Sequence, residues 1–212
     1  MKANDETVLP QALPGFEKIQ RYMDFKRNIS MAKVQPGEFY ATTNQEAIIT
    51  VLGSCVSVCV RDIHLGIGGM NHFMLPLKGS IYDKESIVSD ATRYGNWAME
   101  YLINQILKAG GRRRMLEAKV FGGGNVFPNL SPEVSEQNIK FVLEYLYNEN
   151  ISVKAKDVGG NVGRIVVYYP KTGLAQVKYL EDIRKSEVSE IETQYFRSID
   201  TRVSKSGGIE LF

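Results

Sequence analysis

An α+β domain, with strands packed as layers and helices outside them, is the fold class this sequence predicts. Short runs rich in β-branched residues, such as Ala47-Ile48-Ile49-Thr50-Val51-Leu52 and Arg164-Ile165-Val166-Val167-Tyr168-Tyr169, recur along the chain. Only two stretches, residues 94–109 and 134–148, keep a helical period over several turns. Glycine, proline and polar clusters separate the short runs, as turns between strands require. With 212 residues, 43% of them hydrophobic and 24% charged, the chain can bury a full core. The natural division is one main domain over residues 31–180, preceded by a tail or docking arm (1–30) and followed by a charged tail (181–212).

Within the arm, residues 15–26 carry Phe16, Ile19, Tyr22, Met23 and Phe25, spaced for a short helix or an aromatic arm packed on its own domain. Residues 32–34 and 38–42 suggest two strands around Pro36-Gly37. Residues 47–52 read as a buried strand, and Val56-Ser57-Val58-Cys59-Val60 alternates as its successor. A turn over residues 61–66, containing His64, leads to the apolar Gly68-Gly69-Met70-Asn71-His72-Phe73-Met74-Leu75-Pro76. Residues 78–90 are polar and read as a surface loop; residues 94–109 then form a helix closed by Gly110-Gly111.

The strand at residues 118–121 ends in Gly122-Gly123-Gly124-Asn125. No Lys-Ser/Thr of a phosphate loop follows, so these glycines are expected to form a turn lining the cleft. A second helix spans residues 134–148, with Ser131 as N-cap and Pro132 at its first position. Next come a strand at 151–155, a glycine-rich turn from Asp157 to Arg164, and a hairpin of residues 164–169 and 175–180. Residues 181–208 are dominated by charge and read as an exposed tail or short helix.

The chemistry concentrates at Cys55. It follows a Gly53-Ser54 turn at the end of one apolar run, and His72 stands at the end of a later one. A cysteine acts as a nucleophile only as thiolate, and an imidazole or converging N–H groups can favour that form. Amides of Ser54 and Cys55, in a turn that Gly53 permits, can hold an oxyanion, and the Thr50 hydroxyl can fix the imidazole tautomer. Cys59 reads as core and both cysteines as free thiols. With no acidic residue at ligand spacing near the histidines, no metal site is expected.

A net charge of +2 gives no reason to expect nucleic acid or an anionic membrane as the main partner. No run approaches the roughly 18 to 20 apolar residues of a membrane span, and the first 30 residues lack a signal pattern, so a cytoplasmic location is expected.

Several strings together resemble one family: residues 50–55, Gly69-Met70-Asn71-His72 with Leu75-Pro76, Arg93-Tyr94-Gly95-Asn96, Lys119-Val120-Phe121-Gly122-Gly123-Gly124, and Asp157-Val158-Gly159-Gly160-Asn161 with Gly163-Arg164. They are similar to CheD, the chemoreceptor glutamine deamidases of bacterial chemotaxis, over residues 13–212. The resemblance implies a cysteine-hydrolase fold shared with glutamine-deamidating bacterial toxins. It implies a protein-glutamine glutaminase with Cys55 as nucleophile, His72 as base, Thr50 orienting it, and Gly53 and Ser54 shaping the oxyanion site, with no cofactor. The implied substrate is a glutamine on the cytoplasmic helical bundle of a methyl-accepting chemotaxis receptor, with glutamyl methylesterase activity as an accompaniment in some relatives. A second partner so implied is CheC, a phosphatase, which inserts a receptor-like helix into the cleft. At residues 134–138 the chain departs from the family, with Ser135 and Gln137 where many members have a glycine and a basic residue. The alternatives are a non-catalytic adaptor that only binds receptors or CheC, and a general cysteine hydrolase acting as a peptidase or small-molecule amidase.

Overall fold

The computed structural model describes residues 9–75, 84–126, 132–180, 190–195 and 197–199. The described strands form two five-stranded mixed sheets. In the first, β1 (Gln20–Asp24), β2 (Ile29–Lys33), β4 (Glu46–Leu52), β9 (Arg164–Tyr169) and β10 (Leu174–Tyr179) lie in that spatial order, parallel only between β2 and β4. In the second the order is β3 (Phe39–Thr42), β6 (Gly68–Asn71), β5 (Val56–Asp62), β7 (Leu116–Gly122) and β8 (Ser152–Val158), parallel only between β7 and β8.

The side-chain pattern of each strand explains its layer. β4 alternates: Ile48 and Leu52 enter the main core, whereas Ala47 and Ile49 belong to a smaller cluster with Met31 and Val167 on the other face. β5 is buried at every residue except Arg61, because both faces of its sheet are covered. One face meets the first sheet across the core, and the other carries helices α1 (Lys84–Lys108) and α2 (Pro132–Asn148), which pack on β3, β5, β6, β7 and β8.

Several sequence expectations are corrected by long-range pairing. Residues 20–24 are not helical: they form the edge strand β1, antiparallel to β2. The reason is tertiary, since the Arg21 guanidinium reaches the buried Glu46 carboxylate, and Phe16 packs edge-on to Phe39 and Tyr40. Residue 30 lies inside β2 and pairs with Met23 of β1. The two strands around Pro36-Gly37 do not pair; one enters each sheet. Residues 84–90 are the first turns of α1 rather than loop, while residues 78–83 and the expected cap Ser131 lie outside the described residues. The C-terminal residues 190–195 and 197–199 are helical, as the short-helix alternative expected, but Glu192 and Ile199 are buried rather than exposed.

Candidate functional site

β4 and β5 belong to different sheets, and the chain crosses from one to the other through Gly53-Ser54-Cys55. This crossing is the centre of the site. The turn is held from outside by a second one: Gly123 N–H donates to the Cys55 carbonyl and Gly124 N–H to the Gly53 carbonyl, both at 2.7 Å. Gly122 has φ 103°, and a Cβ there would meet the Cys55 carbonyl oxygen at 2.2 Å, so only glycine allows the approach. From α2 the buried Asn138 side chain donates to the Ser54 carbonyl at 3.2 Å and accepts from Leu75 N–H at 2.8 Å. The expected glycine turn is thus present as a buttress behind Cys55.

His72 follows β6 and is pinned through its backbone. Its carbonyl accepts from Gly37 N–H at 2.8 Å and its N–H donates to the Glu38 carbonyl at 2.9 Å. Its Nδ1 lies 2.8 Å from Thr50 Oγ1, and that same hydroxyl lies 2.8 Å from the Val34 carbonyl. A hydroxyl has one proton, and the carbonyl is able only to accept it. Oγ1 therefore accepts from His72 Nδ1–H, which leaves Nε2 unprotonated. Nε2 is buried with no hydrogen-bond partner among the described residues. The structure thus brings Thr50 and His72 together as the sequence predicts.

Cys55 Sγ, a His72 nitrogen and a carboxylate oxygen of Glu192 lie within 4.8 Å of one another, all three residues buried. Glu192 is the residue sequence reasoning missed. Its Oε1 accepts from Gly53 N–H at 2.7 Å and Cys55 N–H at 3.3 Å, and its Oε2 from Ser54 N–H at 2.8 Å and Ser54 Oγ at 2.6 Å. Three backbone amides and a hydroxyl thus converge on one carboxylate, as in an oxyanion hole. Ligand spacing along the sequence gives no sign of this carboxylate, because Glu192 lies 137 residues from Cys55. Thiol, imidazole and carboxylate are a donor set able to hold a transition-metal ion. Both carboxylate oxygens are already engaged by the turn. The one sequence signal for Glu192 is its spacing with Tyr195 and Ile199, which places the three on one helical face.

Electrostatics follow from burial. Desolvation, and then the neighbouring Glu192 charge, push the Cys55 thiol well above its ordinary value, and burial lowers the His72 imidazole to about 3. At rest the pair is therefore neutral thiol and neutral imidazole. Cys59 is a second buried free thiol, on β5, and His64 is exposed in the β5–β6 turn.

A family model described as CheD chemotactic sensory transduction matches residues 74–179. The chain is 45% identical over 211 residues to a protein of Halorhodospira halophila named "Probable chemoreceptor glutamine deamidase CheD", covering 99% of this chain and 97% of that one. The chain belongs to the CheD family. Proteins bearing the same name in Saccharophagus degradans and Hahella chejuensis are 44% and 43% identical, over 96% of this chain in each case and 94% and 95% of theirs. The family model begins at Met74, beyond Cys55 and His72, whereas the match to the Halorhodospira halophila relative spans nearly the whole chain, the Gly53-Ser54-Cys55 turn included. Among the described residues, no helix is long and apolar enough to cross a membrane.

Proposed function

We propose that this protein is a chemoreceptor glutamine deamidase working by thiol acyl transfer, with Cys55 as nucleophile, His72 as base and acid, and Thr50 as the residue that orients the imidazole. The carrying observation is the convergence of Gly53, Ser54 and Cys55 amides on one carboxylate beside Cys55 and the unprotonated Nε2 of His72. In the reaction that carboxylate is replaced by the carboxamide of a receptor glutamine. His72 Nε2 takes the Cys55 proton and the thiolate attacks Cδ, forming a C–S bond while the amides hold the oxyanion. The C–N bond then breaks, and ammonia leaves with the proton from the imidazolium. Water, deprotonated by His72, cleaves the thioester, and glutamate and the thiol are restored.

This chemistry needs only the chain's own groups and water. It would act equally on a glutamyl methyl ester, with methanol as leaving group, so methylesterase activity belongs to the same proposal. The cysteine-hydrolase fold, a cytoplasmic location and a CheC-like phosphatase as second partner complete it, on the strength of family membership.

The test is peptide mass spectrometry of a receptor cytoplasmic domain incubated with wild-type or Cys55→Ala protein. Wild type converts specific glutamines to glutamate with release of ammonia, and Cys55→Ala lowers the rate at least about a thousandfold while keeping receptor binding. Receptor fragments in place of converted glutamines would show a peptidase, and full activity of Cys55→Ala would remove the thiol from the mechanism.

A further inference from the structure

We propose that the helical residues 190–195 and 197–199 are a built-in inhibitor that delivers Glu192 to the substrate subsite as a mimic of the reaction product. The proposal rests on the deamidase reading, and it goes beyond it by assigning a function to the C-terminal segment.

First, the position is that of a product. Deamidation ends with a glutamyl carboxylate whose carbon has just left the sulfur and whose oxygen has just left the oxyanion cradle. Glu192 has the same side chain, its oxygens accept from all three amides of the cradle, and Cys55 and His72 lie alongside. Second, the segment is seated as a helix. Glu192, Tyr195 and Ile199 fall on one face; Glu190, Ile191, Gln194, Arg197 and Ser198 are exposed. The Tyr195 hydroxyl hydrogen-bonds Tyr94 of α1, and its ring packs so close to Gly37 that a Cβ there would lie 2.7 Å from it. Ile199 is 3% exposed and joins the main core. Gly37 is also the residue whose N–H holds the His72 carbonyl, so the docked segment rests on the frame of the site itself.

Third, the docked segment closes the site. Cys55 is 0% and His72 1% exposed, leaving no room beside the thiol for a glutamine on another chain. Fourth, Glu192 has no cationic partner among the described residues, and the imidazole beside it is neutral. A buried carboxylate held by amide dipoles and one hydroxyl, with no opposite charge, loses little when the segment lifts, because water then solvates both it and its donors. The Glu192 charge also disfavours the Cys55 thiolate, so the docked state is inactive electrostatically as well as sterically.

A receptor helix presenting glutamine to the cradle must therefore displace residues 190–199, and its apparent affinity is reduced by the fraction of molecules that are open. Anything that sequesters the C-terminal segment releases that restraint.

Two readouts on the full chain test this. The first is alkylation of Cys55 by iodoacetamide, located by peptide mass spectrometry with buried Cys59 as internal control. Glu192→Ala and Tyr195→Ala each raise the Cys55 rate about tenfold or more and leave Cys59 unmodified, since they shift the closed–open balance. The second uses Glu192→Gln, which converts the product mimic into a substrate. Cys55 attacks the introduced carboxamide, ammonia leaves, and water regenerates Glu192, so the isolated protein reverts to the wild-type mass; Cys55→Ala in the same chain leaves the carboxamide intact. Alkylation of Glu192→Ala as slow as wild type, or a carboxamide that survives at position 192 in a protein that converts receptor glutamines, overturns the inhibitor. Failure to convert any receptor glutamine, with Cys55 alkylation raised in Glu192→Ala, overturns the deamidase reading and leaves the occlusion standing.

Discussion

Among the described residues three carboxylates are buried, Glu46, Asp62 and Glu192, and the first and last of these, each 1% exposed, are satisfied in opposite ways. Glu46 opens β4 and accepts only from side chains: Arg21 and Ser30 on Oε1, Tyr40 and Thr42 on Oε2. Its charge is matched by a guanidinium and its donors sit on three different strands, β1, β2 and β3. Glu192 accepts from three backbone amides and one hydroxyl of a single turn and has no matching cation among the described residues. A fully compensated charge ties a fold together. A charge held only by the donors of a single turn occupies a place that another ligand can take.

The widest separation between the two is expected in stability. Glu46→Ala leaves Arg21 and three hydroxyls facing a buried gap, and should lower the unfolding free energy by about 3 to 5 kcal/mol. Glu192→Ala should lower it by about 1 kcal/mol or less, because the helical segment can lift and expose the amides to water. Urea titration of both variants measures the difference, and equal losses would mean that residues 190–199 are as integral to the fold as β1 and β4.

Acid titration sharpens the same contrast. Burial alone would raise the Glu46 carboxyl, but hydrogen bonds from Arg21, Thr42, Tyr40 and Ser30 outweigh it and hold the group below its ordinary value. A depressed carboxyl contributes stability above its unfolded value of about 4.5 that is lost as pH falls through the folded value, so Glu46→Gln should flatten the acid limb. His72 acts in a higher window. Its folded value near 3 against 6.5 unfolded means that the unfolded chain binds the proton first, and stability falls on acidification between those values. The slope is about 1.4 kcal/mol per pH unit, and His72→Asn should remove it.

A smaller effect separates the site from its frame. Thr50→Val deletes the acceptor for His72 Nδ1–H and should lower the deamidation rate about ten- to hundredfold with little change in receptor affinity, while Thr50→Ser retains most of the rate. Ammonia release at saturating receptor domain reports it, and equal rates for Val and Ser would show that packing alone orients the ring.

Much of this was legible in the residues. The strands at 47–52, 56–60, 118–121 and 164–169, the hairpin after them and the two amphipathic helices follow from periods of two and of about 3.6, which burial on one face imposes locally. Cys55 after Gly53-Ser54 and His72 after an apolar run were visible because each sits where a strand stops, whereas the contact between Thr50, inside β4, and His72 is tertiary. The arm at 15–26 is ambiguous on sequence, because its apolar spacing suits a helix as well as a turn and an edge strand, and the partner that decides, Glu46, lies elsewhere in the chain. Asn138 gave no local sign of its role, since an asparagine inside an amphipathic helix declares nothing about the carbonyl it will meet.

What the chain determined by itself, then, is short-range: which residues form strands and helices, and which turn carries the thiol. Which strands share a sheet, that β4 and β5 part company at Cys55, and that Glu192 returns to meet the amides of that turn were decided only by the packed structure. The physical reason is that these contacts are selected by burial and hydrogen-bond satisfaction among segments more than a hundred residues apart, as between Cys55 and Glu192, and local sequence spacing holds no record of them.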